Sequence, residues 1–272
     1  MKKIIISILL STVATAAHAD DYWSGFLDVN TAFQRDNHYT GDTRWLESNQ
    51  WRREATAEVQ YRWNACALGA RLTYSAANYE YTTVSTGAET ESDADAYGIG
   101  AQAGCNVRGL WLVGFGGIEK TDLSDSSITD YRETTFGAGL YFQQMERLGY
   151  GIAVSRLNTQ YTWTTYNPFS VNFDADLVEG KLDFFINPNL LSSTTISYLG
   201  TDDAGTGSLF TRLEFKPETM NFAVYAGIGG SITDVDDPND NVQSYTAKVG
   251  LRWYFANDSL QAMHNNQMPT FD

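Results

Sequence analysis

The clearest pattern in the chain lies between Trp51 and Trp63. Odd positions carry Trp51, Arg53, Ala55, Ala57, Val59, Tyr61 and Trp63, and even positions carry Arg52, Glu54, Thr56, Glu58, Gln60 and Arg62. Successive side chains of a strand point to opposite faces, so the segment reads as a strand with one largely apolar and one polar face. A helix would scatter the same charges around its circumference. From Trp51 to Trp63 is about 40 Å along a strand, or about 30 Å across a membrane at a tilt of about 40°. The wall of a membrane barrel needs an apolar band of about 25 Å between aromatic girdles. Strands in soluble proteins average only about 5 to 6 residues.

Followed along the chain, the same rhythm predicts an all-β fold, a transmembrane antiparallel up-and-down β-barrel of twelve strands, or ten or fourteen if one hairpin is misread. The strands are predicted near 22–36, 50–63, 67–80, 95–107, 110–121, 131–144, 149–162, 174–186, 191–201, 207–216, 221–231 and 242–255. Short connections at 64–66, 108–109, 145–148, 187–190 and 217–220 alternate with mostly longer ones at 37–49, 81–94, 122–130, 163–173 and 232–241. That asymmetry is expected of short periplasmic turns and long outer loops, and an even count returns both ends of the barrel to the periplasm. The outer connection 202–206 is short and fits least well.

The last strand places Tyr245, Ala247, Val249, Leu251, Trp253 and Phe255 on the lipid side, with Thr246, Lys248, Gly250, Arg252 and Tyr254 inside. Its ending, Trp253-Tyr254-Phe255, resembles the aromatic-terminated closing strand of bacterial porin-like outer-membrane barrels. The resemblance covers about a dozen residues and implies a porin-like channel for small polar solutes. Residues 256–272 continue past the final aromatic, where many such proteins stop. This periplasmic tail is read either as disordered or as docked in the barrel mouth, with Asp258 or Ser259 capping a short helix.

The first residues fit an export signal. Lys2 and Lys3 precede an apolar run from Ile4 to Leu10, and Ala17-His18-Ala19 forms a small-x-small cleavage site. Residues 1–19 are therefore expected to be cleaved, leaving a barrel over 20–255 and a tail over 256–272, in the bacterial outer membrane. The chain carries Lys+Arg 18 and Asp+Glu 33; removing Lys2 and Lys3 leaves 16 against 33, a net charge of −17. Such acidity argues against nucleic acid and against a polybasic contact with anionic lipid. The acid concentrates in Glu89–Asp95, Asp122–Asp130, Asp202-Asp203 and Asp234–Asp240, all read as outer loops.

The predicted inward face holds seven basic residues, Arg52, Arg62, Arg71, Lys181, Arg212, Lys248 and Arg252. It also holds six acidic ones, Asp28, Glu54, Glu58, Glu179, Asp183 and Glu214. Charge at membrane depth needs water or a partner, and a lumen offers both. These residues form either a salt-bridged filling or the lining of a narrow solute path. Gly98, Gly100, Gly104, Gly114, Gly116, Gly137 and Gly139 on strands four to six, with Gly227 and Gly229 on strand eleven, are read as inward too. They leave one wall bare, with room for water or a plugging segment, or else relieve curvature. Cys66 and Cys105 fall on the same outward face of one hairpin, where a disulfide can form in an oxidising compartment.

No catalytic residue, metal site or cofactor is expected. A Ser/His pair on the lipid-facing wall is missing. His38 with Asp125 and Ser126 resembles the His, Asp and Ser set of lipid A acyltransferase barrels, without a spacing signature. The remaining reading is a non-conducting barrel that acts as a surface interaction or structural protein. Expected partners are outer-membrane lipid and lipopolysaccharide, the barrel-assembly machinery, small polar solutes and, as an option, further copies of the chain.

Overall fold

The computed structural model describes residues 22–124, 128–145, 147–163, 169–235, 240–255 and 258–271. The expected export signal, and Asp125, Ser126, Asp236 and Asp237, lie outside them. Twelve strands follow one another in sequence. They are β1 (Tyr22–Thr40), β2 (Thr43–Trp63), β3 (Cys66–Thr83), β4 (Ala88–Val107), β5 (Leu110–Leu123) and β6 (Ile128–Met145). The second half is β7 (Leu148–Trp163), β8 (Phe169–Asn187), β9 (Leu190–Gly200), β10 (Ala204–Phe215), β11 (Phe222–Val235) and β12 (Asp240–Tyr254). Each pairs with its sequence neighbours, and β1 pairs antiparallel with β12, so the sheet closes on itself. A short helix, α1 (Leu260–Asn266), follows the last strand.

Alternation sorts the side chains. Every strand turns a large, exposed apolar residue outward, from Val29, Trp51, Leu68 and Ile99 through Ile196, Leu209, Ile228 and Val249. The neighbouring positions on the other face include Asp28, Glu58, Asp183 and Glu214, all buried. A soluble monomer does not expose a continuous apolar ring with its carboxylates inside. A barrel in a lipid bilayer does.

Two expectations fail. The outer connections 37–49 and 81–94 are not loops. β1 runs to Thr40 and β2 starts at Thr43, while β3 runs to Thr83 and β4 starts at Ala88. The acidic stretch Glu89–Asp95 is accordingly strand, paired residue by residue with β3. β2 holds 21 residues. That length corresponds to about 66 Å, or about 50 Å along the membrane normal at a tilt of about 40°, twice the apolar band. The excess lies beyond Trp51, where water bathes both faces and apolar alternation is no longer required, although the hydrogen-bond ladder continues.

The second failure is one of parity. On β5 the inward positions are Trp111, Val113 and Phe115, followed by Gly117 and Glu119. Gly114 and Gly116 therefore point to the lipid side, with Leu112 and Ile118. Both faces of this strand are apolar, so the two-residue rhythm has no contrast to report.

Cys66 and Cys105 sit directly opposite in the β3–β4 register and are joined by a disulfide across a sequence separation of 39. Closing a loop of that length restricts the unfolded chain. Replacing both with serine is expected to cost about 2–4 kcal/mol, read as a lower urea midpoint in vesicles with a steeper denaturant slope, because the released unfolded chain exposes more surface.

Candidate functional site: the charged lumen and its tail

The inward faces of the strands meet in a belt of paired charges. The largest group links β1, β10 and β12. Arg252 Nε donates to Asp28 Oδ2 at 2.9 Å, and its Nη1 to Glu214 Oε2 at 3.5 Å. Arg212 Nη2 reaches the same Glu214 oxygen at 3.3 Å. The Tyr225 hydroxyl donates to Asp28 at 2.7 Å, and the Tyr254 hydroxyl donates to Glu214. Asp28 and Glu214 are thus buried with every nearby donor committed to them, the condition under which buried charge is tolerated.

Two further pairs line other walls. Lys248 Nζ meets Glu54 at 3.0 Å. Arg71 Nε meets Glu58 at 3.1 Å, and Glu58 also accepts from Gln60 at 2.7 Å and Gln102 at 3.2 Å. On β8, Lys181 lies 4.0 Å from Asp183.

These residues surround a cavity of about 540 Å³. A second chamber of about 430 Å³ shares Arg52, Glu54, Lys181, Arg212 and Lys248 with it and adds buried Glu179. The structure thus gathers all but one of the expected lumen residues around connected space. The exception is Arg62. Its guanidinium lies over the Trp111 ring at 5.6 Å and donates to the Asn64 carbonyl at 3.4 Å, at the rim near the β2–β3 turn. Glu119 and Glu133 line the first cavity as well. Sequence reasoning missed Glu119 through the parity error on β5. Glu133 shares the face of Gly137 and Gly139 on β6 and was readable from them.

The tail forms the cavity's floor at the short-turn end. Ser259 caps α1, its hydroxyl accepting from the Ala262 N–H at 3.1 Å. Leu260 and Met263 pack into a cluster with Phe26, Phe185, Leu191 and Tyr254. Met268 and Phe271 enter a second cluster with Trp111, Val113 and Tyr141. Gln60 grips the backbone as another strand would. Its Nε2 donates to the Met268 carbonyl at 3.0 Å, and the Met268 N–H donates back to Oε1 at 2.9 Å. Lys181 Nζ donates to the Thr270 carbonyl at 3.2 Å.

His264 Nε2 lies 3.2 Å from Asp183 Oδ2 and 2.8 Å from the Tyr141 hydroxyl, which itself donates to Asp183 at 2.8 Å. Lys216, just past β10, is fully buried, and its ammonium makes no hydrogen bond among the described residues, although its backbone N–H donates to the Asn189 carbonyl at 3.0 Å. Burial lowers the proton affinity of its ammonium, and the carboxylate of Asp258 opposes that shift.

The bare glycine wall is where the tail rests. A Cβ on Gly139 would come within 2.5 Å of the Phe271 ring, and one on Gly104 within 2.8 Å of Met268 Sδ. Both glycines are needed for that close approach. Gly227 and Gly229 instead receive the Phe210 ring. Of the two readings of the tail, docking is what the structure contains.

Among solved structures, the barrel is similar to the transport unit of the autotransporter AIDA-I from Escherichia coli, with a TM-score of 0.56, 10% identity, and 89% of this chain and 96% of that one covered. It is also similar to the translocator domain of the autotransporter NalP from Neisseria meningitidis (TM-score 0.54, 10% identity, 93% and 95% covered). A third likeness is to a deltaS2 mutant of the monoaromatic hydrocarbon channel TodX (TM-score 0.53, 9% identity, 91% and 93% covered). The chain has the fold of an outer-membrane β-barrel. At these identities the likeness concerns fold alone. No protein-family model matches the chain, and no curated protein matches its sequence. The structural neighbours named above are channel and transport barrels. On the barrel itself, His38 packs against the Trp45 ring at 5.6 Å, near the hairpin tips. The partners suggested for it by the acyltransferase resemblance, Asp125 and Ser126, lie outside the described residues.

Proposed function

We propose that the barrel is a channel for small polar solutes whose periplasmic mouth is closed by its own tail. The observation that carries this reading is the pair of connected chambers lined by charged groups, with Met268, Thr270 and His264 as part of the lining. An apolar solute such as a monoaromatic hydrocarbon, for which the TodX channel is named, would lose its apolar contacts in such a lumen. A polar one meets fixed donors and acceptors that replace its water. A chamber of about 540 Å³ suits solutes of a few to a dozen heavy atoms. On this reading the apolar ring faces outer-membrane lipid, and the long hairpins stand among lipopolysaccharide on the cell surface.

The second reading, a non-conducting surface protein, is favoured by the tail's burial if the tail never leaves. Planar-bilayer recording separates the two. Full-length protein is expected to give discrete openings, brief because the tail re-docks, and Arg52→Ala to change their amplitude. Silence at every voltage, with the protein shown to be folded, would favour the closed barrel.

A further inference from the structure

Three charged residues of the described lumen, Arg52, Glu119 and Glu133, make no ion pair. Arg52 on β2 makes no ion pair or side-chain hydrogen bond among the described residues, yet it lines both chambers where they meet. Its guanidinium holds five donors in a planar fork suited to a carboxylate. Glu119 on β5 has no hydrogen-bond donor among the described residues either. It stands directly opposite Glu133 of β6 in the register, with both on the lumen face. Glu133 accepts only the Tyr131 hydroxyl, at 3.0 Å. Like charges directly opposite on neighbouring strands repel. Glu119 is within electrostatic reach of Arg52 as well as of Glu133.

A guanidinium without a close ion pair and two opposed carboxylates face one cavity and keep donor and acceptor capacity for a charged solute. A solute that presents a carboxylate to one and an ammonium to the other matches both. The ammonium has three donors, enough to bridge two carboxylates. A lone cation would leave Arg52 unmatched, and a lone anion would meet the acidic pair. We propose that the lumen binds small zwitterions of the α-amino acid class, with Arg52 taking the carboxylate and Glu119 and Glu133 taking the ammonium. The inference rests on the channel reading, which gives a solute its route to the cavity.

The test is saturation-transfer NMR on full-length protein in detergent, with L-alanine, L-alaninamide (ammonium alone) and N-acetyl-L-alanine (carboxylate alone) as probes. Alanine is expected to bind saturably, and each half-charged analogue on the order of tenfold more weakly, the worth of one charge-assisted hydrogen bond. Arg52→Ala should weaken alanine about tenfold and leave alaninamide unchanged, which also shows that the variant is folded. Glu119→Gln with Glu133→Gln should do the reverse, sparing N-acetylalanine. Equal binding of alanine and alaninamide, indifference of alanine to both variants, or binding of Ca²⁺ with no alanine signal would overturn the site. Bilayer recording of the same preparation keeps the two claims apart. Conductance without alanine binding sinks the site and spares the channel, whereas variant-sensitive binding in a silent barrel spares the site and sinks the channel.

Discussion

Replacing Met268 and Phe271 together with aspartate is expected to turn a barrel that opens briefly into one that stays open. Both side chains are almost wholly buried, Met268 at 1% exposure and Phe271 at 5%. Burying a large apolar side chain is worth about 1.5–3 kcal/mol, so the pair contributes about 4 kcal/mol to docking. Each 1.4 kcal/mol is a factor of ten, so the balance between docked and undocked tail should move about a thousandfold. Two carboxylates in place of these side chains would also have to enter the apolar, glycine-lined seats beside Val113 and Tyr141. The barrel wall is untouched, and heat-modifiable migration on gels should remain native. Bilayer recording of open time checks the expectation. Unchanged closed times in a folded variant would show that the tail does not control the mouth.

The second large effect is expected at Arg252. Arg252→Met removes the cation shared by Asp28 and Glu214, whose side chains are 4% and 1% exposed. Breaking a buried pair from one side costs about 3–5 kcal/mol, because the abandoned charge stays out of water. Here Asp28 is left without a cation and Glu214 keeps Arg212 alone. Urea unfolding in phospholipid vesicles, followed by tryptophan fluorescence, should show a loss of that size. Adding Asp28→Asn and Glu214→Gln should restore most of it, since neutral groups keep the Tyr225 and Tyr254 contacts without the charge cost. A loss below about 1 kcal/mol in the single variant would mean that water reaches this cluster freely.

The same two physical conditions decide what was readable in the sequence. Where lipid lies on one side and water or charge on the other, every second residue is constrained. The strand count and the closing pair of β1 with β12 follow from that. Beyond Trp51 the contrast vanishes, so the extensions of β1 to β4 were read as loops. On β5 it vanishes for the opposite reason. Trp111, Val113 and Phe115 are apolar because they receive the tail, so the inward face looks like the outward one. The tail's seat was visible only as missing side chains on a glycine wall. Its defining contact, Gln60 with Met268, spans 208 residues, and no local rhythm records a contact at that separation. The glycines gave room for a plug and the tail was one candidate for it; the contacts that seat the tail come from the structure alone.

The central claim is that the tail shuts a polar lumen that otherwise conducts. It is tested most directly by locking that contact, with Gln60→Cys and Met268→Cys in one full-length protein and Gln60→Cys alone as the control for reduction of the Cys66–Cys105 bond. Oxidised, the double variant should stay silent in a planar bilayer. Reductant added to the periplasmic face should bring discrete openings in the same membrane, with no comparable change in the control. Identical conductance before and after reduction, with the new disulfide shown to have formed and broken, would contradict the account.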